Sequence, residues 1–369
     1  MTAGLKRTRL FDWHIANGGR MVPFAGWEMP LQYAASAKLE HQTTRQAAGL
    51  FDIDHMGQFA IHGPDAEAYL NRLVTWDVSR MEENEAHYAL MCYEDGGIVD
   101  DVYVYRLPQR WFVVVNAANR EKDLIWMQAQ IAAYEVIVVD VSAETYMLAL
   151  QGPQAMPILQ TLTDVDLLDL PRFTVAEGQI RGINTLISRT GYTGEDGVEL
   201  FFSADSALEM WKAILQAGKP LGLKPVGLAA RDSLRFEAGF ALYGHEISAQ
   251  ITPLEARLGW VVHDHVDFIG RNALLKQKLE RGPARLLVAF EMLDKSVPRQ
   301  DYEVIYQAEV IGRVVSGLYA PTLDQFVGHA FVPAGLAKPG TEVQIKVRDT
   351  LKKAHLVRRP LYKPPRRET

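Results

Sequence analysis

The chain has 369 residues, with 39 Lys plus Arg against 45 Asp plus Glu for a net charge of −6, and it is 48% hydrophobic and 23% charged. That length exceeds what one core usually fills, so two or three domains are expected, and no concentrated basic charge points to nucleic acid. One cysteine, Cys92, allows neither an internal disulfide nor a thiolate metal cage, no apolar run nears the roughly 20 residues of a membrane span, and no hydrophobic region follows Lys6, Arg7 and Arg9, so a cytoplasmic location is expected.

Phe59 and Ile61 alternate ahead of Gly63-Pro64, and Tyr69, Leu70, Leu73 and Val74 then recur at helical spacing. The same strand, Gly-Pro, helix plan returns where Leu148 and Leu150 precede Gly152-Pro153 and Ile158, Leu159 and Leu162 follow. Pro is tolerated just inside a helix because its missing N–H has no intrahelical partner there, so the recurrence is modest evidence for two related α/β lobes. Between them, VYVY (102–105) and WFVVV (111–115) predict a hairpin turning at Pro108. Leu124, Met127 and Ile131 predict a helix, and VIVVDV (136–141) a buried strand. Further on, Leu208, Trp211 and Leu215 predict a helix closed by Gly218, and another runs near 228–238 before Gly239. Without a strict βαβ rhythm the class is α+β. KQKLERGP, ending at Pro283, reads as a linker, and the short β-rich runs beyond it as an antiparallel barrel or sandwich. Lys352, Lys353, Arg358, Arg359, Lys363, Arg366 and Arg367 form a basic cluster, read as a solvated terminus or as a dock for an acidic partner.

GYTGEDG (191–197) lacks both the P-loop Lys and dinucleotide spacing, so it reads as a tight turn. Glu199 alternates with Val198 and Leu200 on the strand that follows and points away from them. Asp100 and Asp101 are neighbours on a strand, face opposite sides and cannot form one dyad. His263, His265 and Asp267 in HDHVD invite a metal reading, but with no third imidazole in view no metal is assigned. Cys92 reads as a small core residue.

Longer segments carry a resemblance. MVPFAGWEMPLQY (21–33), GLFDIDHMGQ (49–58), GGIVDD (96–101), VVNAANREKDL (114–124), RTGYTGEDGVEL (189–200), GLAARDSLRFEAG (227–239), LYGHEI (242–247), TPLEARLGW (252–260), FIGRNAL (268–274) and SGLYAPTL (316–323) occur in that order. In these the chain resembles the tetrahydrofolate-dependent aminomethyltransferases, the T-proteins of the glycine cleavage system. The resemblance implies two related α/β lobes and a C-terminal antiparallel β-barrel, arranged as a three-domain ring around a central folate channel. A folate-binding region would span 10–265, its lobes roughly 50–140 and 10–49 with 141–265, and a barrel would span 283–362.

By the same resemblance the methylene of a lipoyl-carried aminomethyl group passes to tetrahydrofolate with release of ammonia, and the partner is the lipoyl carrier H-protein, met through the basic C-terminal region. Asp101 takes the catalytic place and Glu199 the pterin-binding place. Tyr88, Tyr192 and Arg231 match folate-lining positions, as do Met56, Asn116 and Arg235. These residue types suit the chemistry, because one carboxylate can accept a pterin's adjacent ring N–H and exocyclic amine together, and aromatic rings wall a flat ligand. Asp54 stands where the family usually has Ser, which adds a negative group beside His55 and Met56. Because the same fold serves other donors, a folate-dependent demethylase acting on a sulfonium, methoxy or methylamine compound is the alternative.

Overall fold

The computed structural model describes residues 4–364, and these divide into two compact units. One comprises the chain up to Leu70 with Val78–Tyr88 and Val102–Leu234; the other comprises Asn71–Asp77, Ala89–Asp101 and the chain from Arg235 onward.

In the first unit the repeated plan is present twice. Strand Gly57–His62 leads through Gly63 into helix Ala66–Leu73, and strand Thr145–Gln151 leads through Gly152 into helix Ala155–Gln160. Both glycines adopt nearly the same left-handed backbone, φ 125° and 127°. Each is also closely packed by backbone: a Cβ on Gly63 would lie 2.1 Å from the Glu135 carbonyl oxygen, and one on Gly152 2.6 Å from that of Ala47. Only glycine meets both demands, which explains the residue at each strand-to-helix corner.

A six-stranded sheet runs in the order Val175–Ile180, Ile183–Ser188, Gly197–Ser203, Thr145–Gln151, Gly49–Asp52, Lys224–Pro225. Alternation along Gly197–Ser203 sends Val198, Leu200 and Phe202 into a core with Trp211, Tyr146 and Leu148, while Phe201 enters a second core with Phe51, Tyr105 and Phe112. Both faces are therefore covered, and Glu199 lies on the Phe201 face. A five-stranded sheet runs Glu85–Cys92, Ile98–Leu107, Arg110–Val115, Gly57–His62, Ile137–Asp140. Its hairpin pairs Leu107 with Arg110, so the turn falls on Pro108-Gln109 as the sequence predicts. Ile137–Asp140 is an edge strand, not a buried one: Ile137 is 65% and Val139 41% exposed, because only Gly57–His62 pairs with it.

In the second unit Arg285–Met292, Gln325–Pro333, Glu309–Ala320, Glu303–Tyr306, Glu342–Val347 and Thr350–Val357 close into an antiparallel barrel. Phe290, Val304, Val314, Val332, Ile345 and Leu356 fill it. The expected linker is mostly the end of helix Arg271–Glu280, broken only at Gly282-Pro283. Lys352 and Lys353 do not belong to a loose terminus but to the last barrel strand, and Arg359 donates to the Gly239 carbonyl oxygen at 2.8 Å. Arg366 and Arg367 lie outside the described residues. Buried Glu246 accepts from Arg235 Nη1 at 2.8 Å, from the Leu242 amide at 3.0 Å, from His329 Nδ1 at 2.9 Å and from the Ser316 hydroxyl. Those donors hold its carboxyl well below the ordinary range despite burial. Among the described residues no helix is long and apolar enough to cross a membrane.

Candidate functional site

The GYTGEDG segment forms a turn that delivers Tyr192 and Glu199 from one rigid base. Arg45 donates from Nη1 to the Thr193 carbonyl oxygen at 2.7 Å and to Glu195 Oε1 at 2.9 Å. Arg189 donates to Asp196 Oδ1 at 2.6 Å, and Gln151 bridges the Thr190 carbonyl and the Thr193 hydroxyl. A Cβ at Gly191 would meet Gln151 Oε1 at 2.0 Å, so the residue ahead of Tyr192 must be glycine for that bridge to exist.

Glu199 pairs across the sheet with Ser188. Thr190, just past that strand, donates its hydroxyl to Glu199 Oε2 at 2.5 Å, and Ser188 is 2.8 Å from Thr190 Oγ1. Burial raises the Glu199 carboxyl, and the Thr190 hydrogen bond and the Arg231 charge oppose that rise. Tyr105 is buried nearby, and burial with the Glu199 charge pushes its hydroxyl far up, so it stays a neutral donor. Arg231, on helix Leu228–Glu237, lies 4.5 Å over the Tyr192 ring. Tyr88 meets Tyr103 edge-on at 5.9 Å, and Tyr103 lies 6.2 Å from Tyr105. Aromatic faces, a guanidinium and one buried carboxylate thus share a single corner of the first unit.

His55 joins this corner. It is fully buried, edge-on to Phe24 at 5.6 Å, and burial together with the Arg231 charge lowers its pKa to about 3, so the ring is neutral. Met56 packs on the core beside it. Asp54 is largely buried and is pushed up to about 9, first by burial and then by the negative charge of Asp52. Asp52 itself stays low because His14 and Thr8 hydrogen-bond to it.

The remaining sequence candidates sit as follows. Asn116 precedes a short 3-10 turn, and its backbone carbonyl oxygen accepts from the Asn119 amide at 3.0 Å. Asp101 is half-buried on strand Ile98–Leu107, and its neighbour Asp100 is fully buried, as strand alternation requires. Arg235 is 2% exposed with its guanidinium on Glu246 and the Phe240 carbonyl oxygen. The structure therefore gathers Glu199, Tyr192, Arg231 and, through Tyr103 and Tyr105, Tyr88. Sequence reasoning missed Thr190, Tyr105 and the neutral His55. Thr190 and Tyr105 are brought to Glu199 by sheet register and core packing, which leave no local signature, whereas His55 was visible in the sequence only as a neighbour of Asp54 and Met56.

Chemically, such a corner can accept hydrogen bonds at a carboxylate and offer aromatic faces for stacking. Glu199 Oε1 and His55 Nδ1 have no hydrogen-bond partner among the described residues, although Nδ1 is buried. Residues 10–265 match the GCVT N-terminal domain, and residues 285–363 match the glycine cleavage T-protein C-terminal barrel domain. The chain is 47% identical to the aminomethyltransferase of Symbiobacterium thermophilum over 376 aligned residues, covering 100% of both chains. It is 48% identical to that of Desulforamulus reducens, covering 97% of this chain and 98% of the other. The crystal structure of glycine cleavage system aminomethyltransferase T from Bartonella henselae superposes with a TM-score of 0.91 at 33% identity, covering 98% and 99% of the two chains. With two family domains spanning nearly its whole length and relatives this similar from end to end, the chain belongs to the glycine cleavage T-protein family of aminomethyltransferases.

Proposed function

We propose that this aminomethyltransferase uses tetrahydrofolate as its one-carbon acceptor and a lipoyl-carried aminomethyl group on an H-protein as its donor, releasing ammonia. Tetrahydrofolate, when bound, supplies the nitrogen that accepts the one-carbon unit. The observation that carries the reading is Glu199: a buried carboxylate with one oxygen held by Thr190, the Arg231 charge nearby and Arg231 lying over the Tyr192 ring. Glu199 would accept the paired pterin donors, Tyr88 and Tyr192 would wall the ring, and Arg231 would hold a carbonyl or carboxylate of the folate. Met56 and Asn116 would complete the pocket. Arg235, gripped by Glu246, would act by positioning its helix. Asp101 would be the catalytic carboxylate, moving a proton from the acceptor nitrogen and stabilising positive charge on the transferred carbon. The region 10–265 would hold the folate and the barrel would follow from 283. Basic Lys352, Lys353 and Arg358 offer the carrier protein a cationic surface, and a cytoplasmic setting suits the single buried cysteine.

The test is transfer from an aminomethyl-loaded carrier to tetrahydrofolate, run beside a folate-binding titration. Asp101→Asn is expected to bind folate normally and to lose about 10² or more in turnover, while Asp100→Asn loses stability instead. Full activity in Asp101→Asn would remove that residue from the chemistry, and transfer that needs no carrier would favour a free methylated donor.

A further inference from the structure

The second unit holds a cluster that the transfer reaction does not use. His263 and His265 lie on the stretch ahead of helix Arg271–Glu280, and the fold brings Asp77 to them from a segment 186 residues earlier. The acidic residues nearest them in sequence are engaged elsewhere: Asp264, between the two histidines, pairs with Lys278 at 2.7 Å, and Asp267 pairs with Arg72 at 3.3 Å. One imidazole nitrogen from each histidine and a carboxylate oxygen of Asp77 all lie within 4.8 Å of one another. We propose that Asp77, His263 and His265 form a binding site for a four-coordinate divalent transition metal, with zinc as the best match.

Three features support the assignment. The donor set, two imidazoles and one carboxylate, is the borderline-soft combination that zinc prefers and that magnesium and calcium do not. The site is built on one side: Asp77 is 6% exposed, the His263 amide is tied to the Thr75 carbonyl oxygen at 2.9 Å, and the His263 ring lies 4.1 Å from that of Trp76. The Asp77 amide also donates to His263 Nδ1 at 3.3 Å, which fixes the ring beside the carboxylate. It is adaptable on the other side, because the His265 side chain is 58% exposed.

Ligand atoms around a zinc with bonds of about 2.1 Å stand roughly 3.4 Å apart, so separations that reach 4.8 Å must close by up to about 1.4 Å while the His265–Asp77 pair opens slightly, and exposed His265 is the group free to adjust. His265 Nε2 now donates to Asp77 Oδ2 at 2.9 Å. On metal binding the ring proton moves to Nδ1, and both former partners turn lone pairs on the cation, leaving the fourth position to water. The bound ion would clamp the Asn71–Asp77 segment to the 263–265 loop within this unit.

The test uses the full chain without an affinity tag, stripped by chelator and titrated calorimetrically with zinc chloride. One zinc per chain with micromolar affinity is expected, with no response to magnesium and with a visible absorption band of four-coordinate geometry when cobalt replaces zinc. His265→Ala and His263→Gln should each weaken zinc binding about tenfold or more, with circular dichroism checking that each is folded. Absence of saturable binding at about 1 mM zinc, or unchanged binding in either folded variant, overturns the site. Should His263→Gln not fold, His265→Ala and the cobalt spectrum decide, since an exposed side chain can be removed without disturbing the core.

Discussion

The Thr190 hydroxyl donates to Glu199 Oε2 across 2.5 Å, so the carboxylate at the heart of the candidate folate site is already half engaged by the protein. An acceptor already positioned costs the ligand less ordering on binding. Glu199→Gln puts a donor where acceptors are needed and should weaken tetrahydrofolate binding by about 2–4 kcal/mol. Thr190→Val removes the positioning bond together with the Ser188 contact but leaves the carboxylate in place, and should cost tetrahydrofolate binding about 1 kcal/mol. Calorimetric titration of both folded variants checks the order, and unchanged affinity in Glu199→Gln would remove Glu199 from the site.

The Arg231 guanidinium, stacked on Tyr192, lowers Glu199 while burial raises it. If binding requires ionised Glu199, affinity is retained above its folded pKa and is lost as pH falls through it. Arg231→Met takes away the opposing charge, so that loss should begin at a higher pH than in the wild type. A pH series of binding titrations reads the shift; superimposable profiles would show that Arg231 does not tune the carboxylate.

Asp54 carries the pH dependence of a buried acid. Its folded pKa, about 9, exceeds the 3.8 of a free side chain, so the folded state keeps a proton that the unfolded chain has already released. The group's stabilising contribution is full below the unfolded value and declines as pH rises toward 9. Asp54→Asn, neutral at every pH, should therefore match the wild type near pH 4 and exceed it at pH 8 by on the order of 1–3 kcal/mol. Chemical denaturation at both pH values measures this, and a constant difference would place Asp54 in contact with water.

Glu246 has the opposite sign. Arg235, His329 and Ser316 depress its pKa, so its stabilisation is present above the ordinary carboxylate value and is lost as acid titrates it. Glu246→Gln strands the Arg235 charge at 2% exposure and should cost about 3–5 kcal/mol at pH 7, with a smaller difference in acid. Thermal melts across pH check both statements.

The sequence by itself determined the local elements and the family. Alternation, Gly-Pro corners and helical spacing place the repeated strand-to-helix units, the Pro108 hairpin and the barrel strands, because those signals depend on residues within a few positions of one another. It also supplied Glu199, Tyr192 and Arg231 as chemistry in long ordered motifs. The edge position of Ile137–Asp140 was not legible, since an apolar run reads alike with one neighbour or two. Helix Arg271–Glu280 was mistaken in part for a linker because charge hides its turn pattern. Tertiary structure alone decided that Thr190 and Tyr105 face Glu199, that Arg235 is gripped by Glu246, and that Asp77 joins His263 and His265. Each of those contacts joins residues apart in the chain through register or packing, and burial, which sets the charge states of His55 and Asp54, exists only once the chain has closed around them.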